Sequence, residues 1–184
     1  MLPTKAPVTA DELLQMSRAA GKRYELIHGE LRTMAPAGYQ HGKVASAINA
    51  LIRDYVTAHQ LGDVVAAETG FLLSRNPDHV RAPDFAFVAA GRVPPGPGPI
   101  GYPELAPDFV AEVVSPGDSA SEVQERVDDW LRAGTRIVWV VYPTLRRVVV
   151  WRGPGLAELR GADEEVDAEP VIPGLRVRVA NFLP

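Results

Sequence analysis

Two carboxylates sit where a folded chain has little reason to place them. Asp84 lies in VRAPDFAFV and Glu112 in FVAEVVSP, each among the apolar residues of a buried strand. A lone carboxylate in such a strand is costly unless it is paired, hydrogen-bonded or bound to a cation. If the two strands lie side by side, the acids raise each other's pKa unless a metal neutralises them. Hard oxygen ligands of this kind suit Mg²⁺ or Mn²⁺, which take one or two carboxylates with water and a substrate phosphate. Either acid alone could instead end at a sheet edge or cap a neighbouring amide. The pair, with Glu112 following the Pro83-Asp84 step by 28 residues, favours the metal reading.

Other polar residues are weaker candidates. Glu25 alternates with Tyr24 and Leu26, so it faces away from them, toward either solvent or a site. His41 begins a long helical pattern, where a histidine can cap the helix or reach a phosphate. His28, His59 and His79 fall in turns or at helix ends and read as solvent-facing, and no HxH or HExxH spacing points to zinc. Neither GxxxxGK[ST] nor GxGxxG occurs, so no nucleotide cofactor is expected. Ser46 and Ser115 lie outside any Gly-x-Ser-x-Gly elbow. Trp130, Trp139 and Trp151 fit core patterns better than base stacking. Arg75, Arg81, Arg132, Arg136, Arg146, Arg147 and Arg152 are possible phosphate contacts that form no single stripe.

These residues need elements to hold them. Thr9 with Glu12 is a capping-box signature opening a helix to about Ala20, with Leu13, Leu14 and Met16 on its buried face. YELI-HG-ELRTM reads as a hairpin turning at His28-Gly29. From Gln40 to Gln60, Val44, Ala47, Ile48, Leu51, Ile52 and Tyr55 recur at helical spacing, closed by Gly62. VVAAETGFLLS and VRAPDFAFVAA flank the turn residues Arg75 to Asp78 and read as an antiparallel pair. A Gly- and Pro-rich loop follows, then the Glu112 strand, a helix from Ser119 to Ala133 ended by Gly134, and the strands RIVWVVYP and RRVVVWRG. The strand–helix–strand passage from Phe109 to Val141 allows a parallel crossover. The order predicts an α/β or α+β single domain over 1–184, a mixed sheet flanked by helices. Its core covers about 22–152, and 153–184 reads as an acidic loop with a final strand.

Composition narrows the setting. No apolar run approaches the roughly 20 residues of a membrane span, and the N-terminus lacks a signal-peptide pattern, so a cytoplasmic protein is expected. Cysteine is absent, which excludes thiolate chemistry and disulfides. Nineteen basic against 23 acidic residues leave a net charge of −4. Five acids cluster between Asp163 and Glu169, and without them the balance is 19 against 18, close to neutral. Sixteen of the bases are arginine and three are lysine.

The ordered set YELIHGEL (Tyr24 to Leu31), His41, PDF (Pro83 to Phe85), AEVVSP (Ala111 to Pro116) and WLRAG resembles the Uma family of restriction endonucleases, within the PD-(D/E)XK nuclease superfamily. The resemblance runs from about Tyr24 to Tyr142. It implies a restriction-endonuclease-like core and a metal-dependent endonuclease acting on DNA, with Mg²⁺ or Mn²⁺ as cofactor. By the same resemblance Asp84, Glu112 and the Val113 carbonyl would hold the metal, and Glu25 and His41 would lie near it. The superfamily's lysine, two residues after the glutamate, is replaced here by Val114. In the Uma branch that lysine comes from the next helix, where this chain has Glu122 and Arg126. Arginine does not readily give up a proton, so Arg126 would act through charge. The alternative is a nuclease fold with weakened catalysis that binds nucleic acid or protein. A homodimer is implied if both DNA strands are cut symmetrically.

Overall fold

The computed structural model describes residues 6–20, 23–94 and 96–183, so Lys5 and Lys22 lie outside the described residues. Thr9 and Glu12 form the expected capping box. Thr9 N donates to Glu12 Oε2 at 2.8 Å, and Glu12 N donates to Thr9 Oγ1 at 3.3 Å. This starts α1 (Ala10–Ala20), whose Leu13 is buried with Leu26, Leu72 and Val80, whereas Met16 is exposed. The hairpin is β1 (Arg23–Ile27) and β2 (Glu30–Met34), with Ile27 opposite Glu30. His28 and Gly29 take φ of 48° and 84°, the left-handed pair that a type I′ turn requires.

Helix α2 (Tyr39–His59) buries Val44, Ala45, Ile48, Ile52 and Val56 on one face. Its left-handed C-cap is Gln60, at φ 53°, rather than the expected Gly62. Gly62 instead opens β3 (Gly62–Ala66), where a Cβ would lie 2.1 Å from the Val88 carbonyl oxygen. Close backbone approach, not helix termination, is what requires glycine there.

Each of the two long apolar runs that follow is two strands. They are β3 and β4 (Phe71–Ser74) in the first, and β5 (His79–Arg81) and β6 (Phe85–Ala89) in the second. Pro83, which has no N–H to give a ladder, interrupts the second run just before Asp84. β4 and β5 pair across the Arg75 to Asp78 turn as expected, but join the hairpin in a sheet ordered β2-β1-β5-β4. β3 and β6 belong to the main sheet.

That sheet is completed by β7 (Phe109–Val113), β8 (Ile137–Tyr142), β9 (Arg147–Gly153) and β10 (Leu156–Gly161), in the order β10-β9-β8-β7-β6-β3. Only β7 and β8 run parallel in it, joined by α3 (Ala120–Ala133). One face packs on α2 through Phe85, Phe109 and Trp139, and the other on α3 through Ala86, Val110 and Val138. Burial on both faces explains unbroken apolar runs such as IVWVV. Among the described residues no helix is long and apolar enough to cross a membrane.

The segment after Gly153 is not the expected acidic loop. β10 pairs with β9, and β11 (Glu165–Asp167) pairs with β12 (Arg176–Arg178), followed by a 3-10 turn at Val179–Asn181. These strands are too short to show a period, but Val166, Ile172, Leu175 and Phe182 enter the main core. Phe182 stacks on Trp139 with centroids 5.9 Å apart. Arg152 donates to Asp167 Oδ1 at 2.7 Å and to the Glu169 carbonyl at 2.6 Å. Phe182→Ala is therefore expected to cost about 3 kcal/mol or more in urea unfolding. A loss under about 1 kcal/mol would show that the segment is appended rather than part of the core.

Candidate functional site

The strand register brings the two carboxylates together. β6 and β7 are antiparallel neighbours with Phe85 opposite Ala111, so Asp84 and Glu112 face each other one step further on. Asp84 Oδ2 accepts a hydrogen bond from the Val113 backbone N at 2.7 Å. His41, in the first turn of α2, places Nε2 3.1 Å from the same oxygen. Glu112 Oε1 accepts from the Trp130 indole at 2.7 Å, and Oε2 from Arg126 Nη1 at 3.3 Å. Both donors come from α3, whose periodicity turns Arg126 and Trp130 onto one face.

Glu25 is buried rather than solvated. It accepts from the Ala82 backbone N at 3.1 Å and from Arg81 Nη1 at 2.8 Å, and lies 3.5 Å from Arg126 Nη1. His41, Asp84, Glu112, Val113 and Arg126 share the wall of one cleft of about 760 Å³. Glu122 does not join them. Its carboxylate accepts from the Ser119 backbone N at 2.9 Å, closing a capping box at the start of α3. The capping signal Ser-x-x-Glu was present in the sequence and accounts for that acid.

The electrostatics follow from this packing. Burial pushes the Glu112 carboxyl up to about 7; Arg126 opposes the rise, while Asp84 and Glu25 add to it. Burial works against the Arg126 charge, but Glu112, Glu25 and Asp84 outweigh it and raise its pKa. Contact with Asp84 raises the His41 pKa, with burial opposing. Opposed acids of this kind could hold a divalent cation, since a positive charge would relieve their repulsion.

Several participants were not recognised in the sequence. Arg81 is fully buried and cannot contact phosphate; it binds Glu25, Glu125 and Asp129. The reasoning that exposed Asp84, a charge inside an apolar strand, applies equally to Arg81 three residues earlier. Trp130 is core, as expected, yet also donates to Glu112. His79 is buried, not solvent-facing, and lies 3.2 Å from Asp129. Arg75, Arg132 and Arg152 are engaged with Glu104, Asp129 and Asp167.

The chain matches, over residues 10–180, the model of a family called Uma2 and described as "Putative restriction endonuclease". It also superposes on a crystal structure from Anabaena variabilis, described as a putative nuclease belonging to DUF820. The TM-score is 0.82 and the identity 23%, covering 96% of this chain and 98% of that one. At that identity the likeness shows a shared fold. No curated protein matches.

The raised pKa of Glu112 has a thermodynamic consequence. The folded state holds its proton more tightly than the unfolded chain, so its stabilising contribution is present below about pH 4.5 and lost as pH rises toward 7. His41, also raised, adds a loss above its ordinary value of 6.5. In EDTA, the Tm of the wild type should fall by several degrees between about pH 5 and 8, since each kcal/mol shifts it roughly 2–4 °C. Glu112→Gln should flatten the lower part of that slope. An unchanged slope in the variant would contradict a neutralised Glu112.

Proposed function

The chain belongs to the Uma2 family, and from that premise we propose that it is a divalent-cation-dependent endonuclease hydrolysing DNA phosphodiester bonds. The observation that carries this reading is the direct opposition of Asp84 and Glu112 across β6 and β7, at the wall of an open cleft. Asp84 and Glu112 are the proposed ligands, with Val113 alongside, and their hard oxygens fit Mg²⁺ or Mn²⁺. When bound, such an ion polarises a phosphate and lowers the pKa of a coordinated water.

The protein's own groups prepare the site. The Val113 amide fixes the orientation of Asp84, and the Trp130 indole fixes that of Glu112. Arg126 holds a permanent positive charge beside Glu112 and supplies electrostatic stabilisation to a phosphate under attack. It accepts no proton at working pH, so deprotonation of the nucleophile is not its task. His41, in the first turn of α2 and 3.1 Å from Asp84, is the proposed further phosphate contact. Symmetric cutting of both strands takes two such sites, which a homodimer would provide.

A second reading has an observation of its own. Arg126 stands 3.3 Å from Glu112 and 3.5 Å from Glu25, an internal cation competing for the acids that a metal needs. That favours a weakened nuclease acting as a nucleic-acid- or protein-binding module. Plasmid nicking with Mg²⁺ or Mn²⁺ separates the two. The wild type should nick, and Asp84→Asn should lose more than the roughly 10–100-fold typical of an outer-shell change. Arg126→Lys should stay within a few-fold of wild type while Arg126→Ala falls about 10²–10³-fold. Full activity in Arg126→Ala would remove Arg126 from the mechanism. Absence of nicking by the wild type, with no Mg²⁺ or Mn²⁺ binding by calorimetry, would leave the binding module.

A further inference from the structure

We propose that His28, His79 and Asp129 form a second metal site, selective for a zinc-class ion and separate from the Asp84–Glu112 pair. The three residues come from the β1–β2 turn, the first position of β5 and the inner face of α3. Their ligand atoms all lie within 4.8 Å of one another. His79 Nε2 and Asp129 Oδ2 are 3.2 Å apart. That matches the edge of a tetrahedron, about 3.3 Å for an ion bound at roughly 2.0–2.1 Å. The His28 and His79 rings meet edge-on with centroids 4.5 Å apart.

The second observation is an orphaned donor. His79 is 3% exposed, and its Nε2 is buried with no hydrogen-bond partner. It stands 3.2 Å from Asp129 Oδ2 without meeting the full geometry of a hydrogen bond. A nitrogen lone pair aimed at a metal needs no such alignment of a hydrogen, and a metal would satisfy the atom that the protein leaves bare. Two imidazoles and one carboxylate prefer Zn²⁺, Co²⁺ or Ni²⁺ over Mg²⁺, whereas the all-oxygen pair at Asp84 prefers the reverse. His28 is exposed on its turn, so water can complete the coordination there.

Asp129 is also held by arginines: Oδ2 accepts from Arg81 Nε at 3.0 Å and Nη2 at 2.5 Å, and Oδ1 from Arg132 Nη1 at 3.1 Å, so an ion would share the carboxylate with these donors. A ligating carboxylate is ordinarily held in this way by an outer hydrogen-bond donor. Arg81 in turn donates to Glu25 beside the catalytic cleft. An ion at His28, His79 and Asp129 would therefore brace the hairpin turn against α3 and fix the arginine that positions Glu25.

The test is a Co²⁺ titration of EDTA-treated, untagged protein, followed by visible absorption. The wild type and Glu112→Gln should each bind one equivalent with intense tetrahedral bands. His28→Asn, which keeps a residue tolerant of the left-handed turn, should bind about 10-fold more weakly or worse. Zn²⁺ should raise the Tm of the wild type and not that of His28→Asn. Absence of Co²⁺ bands in the wild type would overturn the site. So would bands that survive His28→Asn but vanish in Glu112→Gln, because the ion would then occupy the carboxylate pair. Neither result depends on whether the protein cuts DNA.

Discussion

A fully buried guanidinium must find partners for its donors, and Arg81 imposes that condition on the small sheet and α3. Its nitrogens reach Glu25 on β1 and both Glu125 and Asp129 on α3. Burial pushes the Asp129 carboxyl up, but His79 and Arg81 more than reverse this and hold it at about 2. Removing one member of such a network leaves an unpaired buried charge, which typically costs about 3–5 kcal/mol. The small sheet and α3 are thus tied together by charge geometry as well as by apolar packing. Because α3 also carries Arg126 and Trp130, the same clamp sets where the cleft's cation and indole stand.

The cleft itself is a balance of opposed charges. Three acids, Glu25, Asp84 and Glu112, converge there, with Arg126 beside Glu25 and Glu112 and His41 beside Asp84. Burial, with Asp84 and Glu25 adding to it, holds the Glu112 pKa up at about 7 despite the Arg126 charge beside it. Arg126 is thus the permanent cation at the point where Glu25 and Glu112 come together. Of the acids behind the net charge of −4, Glu25, Asp78, Asp108, Glu112 and Asp129 are buried and Asp167 is paired with Arg152, whereas the cluster Asp163 to Glu165 is exposed.

The sequence made local features plain. The Thr9 capping box, the His28-Gly29 turn and the α2 stripe depend on residues within a few positions of each other, and the α3 crossover on elements that follow one another in the chain. The Asp84–Glu112 pair was also legible, because a carboxylate in an apolar strand is anomalous wherever the strand goes. Glu122 was assigned to the site by resemblance, but its own capping signal describes what its carboxylate does. The tail after Gly153 was misread because three-residue strands carry no period, and Phe182 reveals its role only against Trp139.

Amino-acid order alone thus determined the main helices and strands and the two anomalous acids. Tertiary structure decided which strands share a sheet, since Pro83 splits one apolar run between two. It also decided that Arg81 and His79 are internal and that His28, His79 and Asp129 converge. Pairing of distant strands and burial of charges are cooperative outcomes of packing, and no single residue's neighbours in the chain encode them.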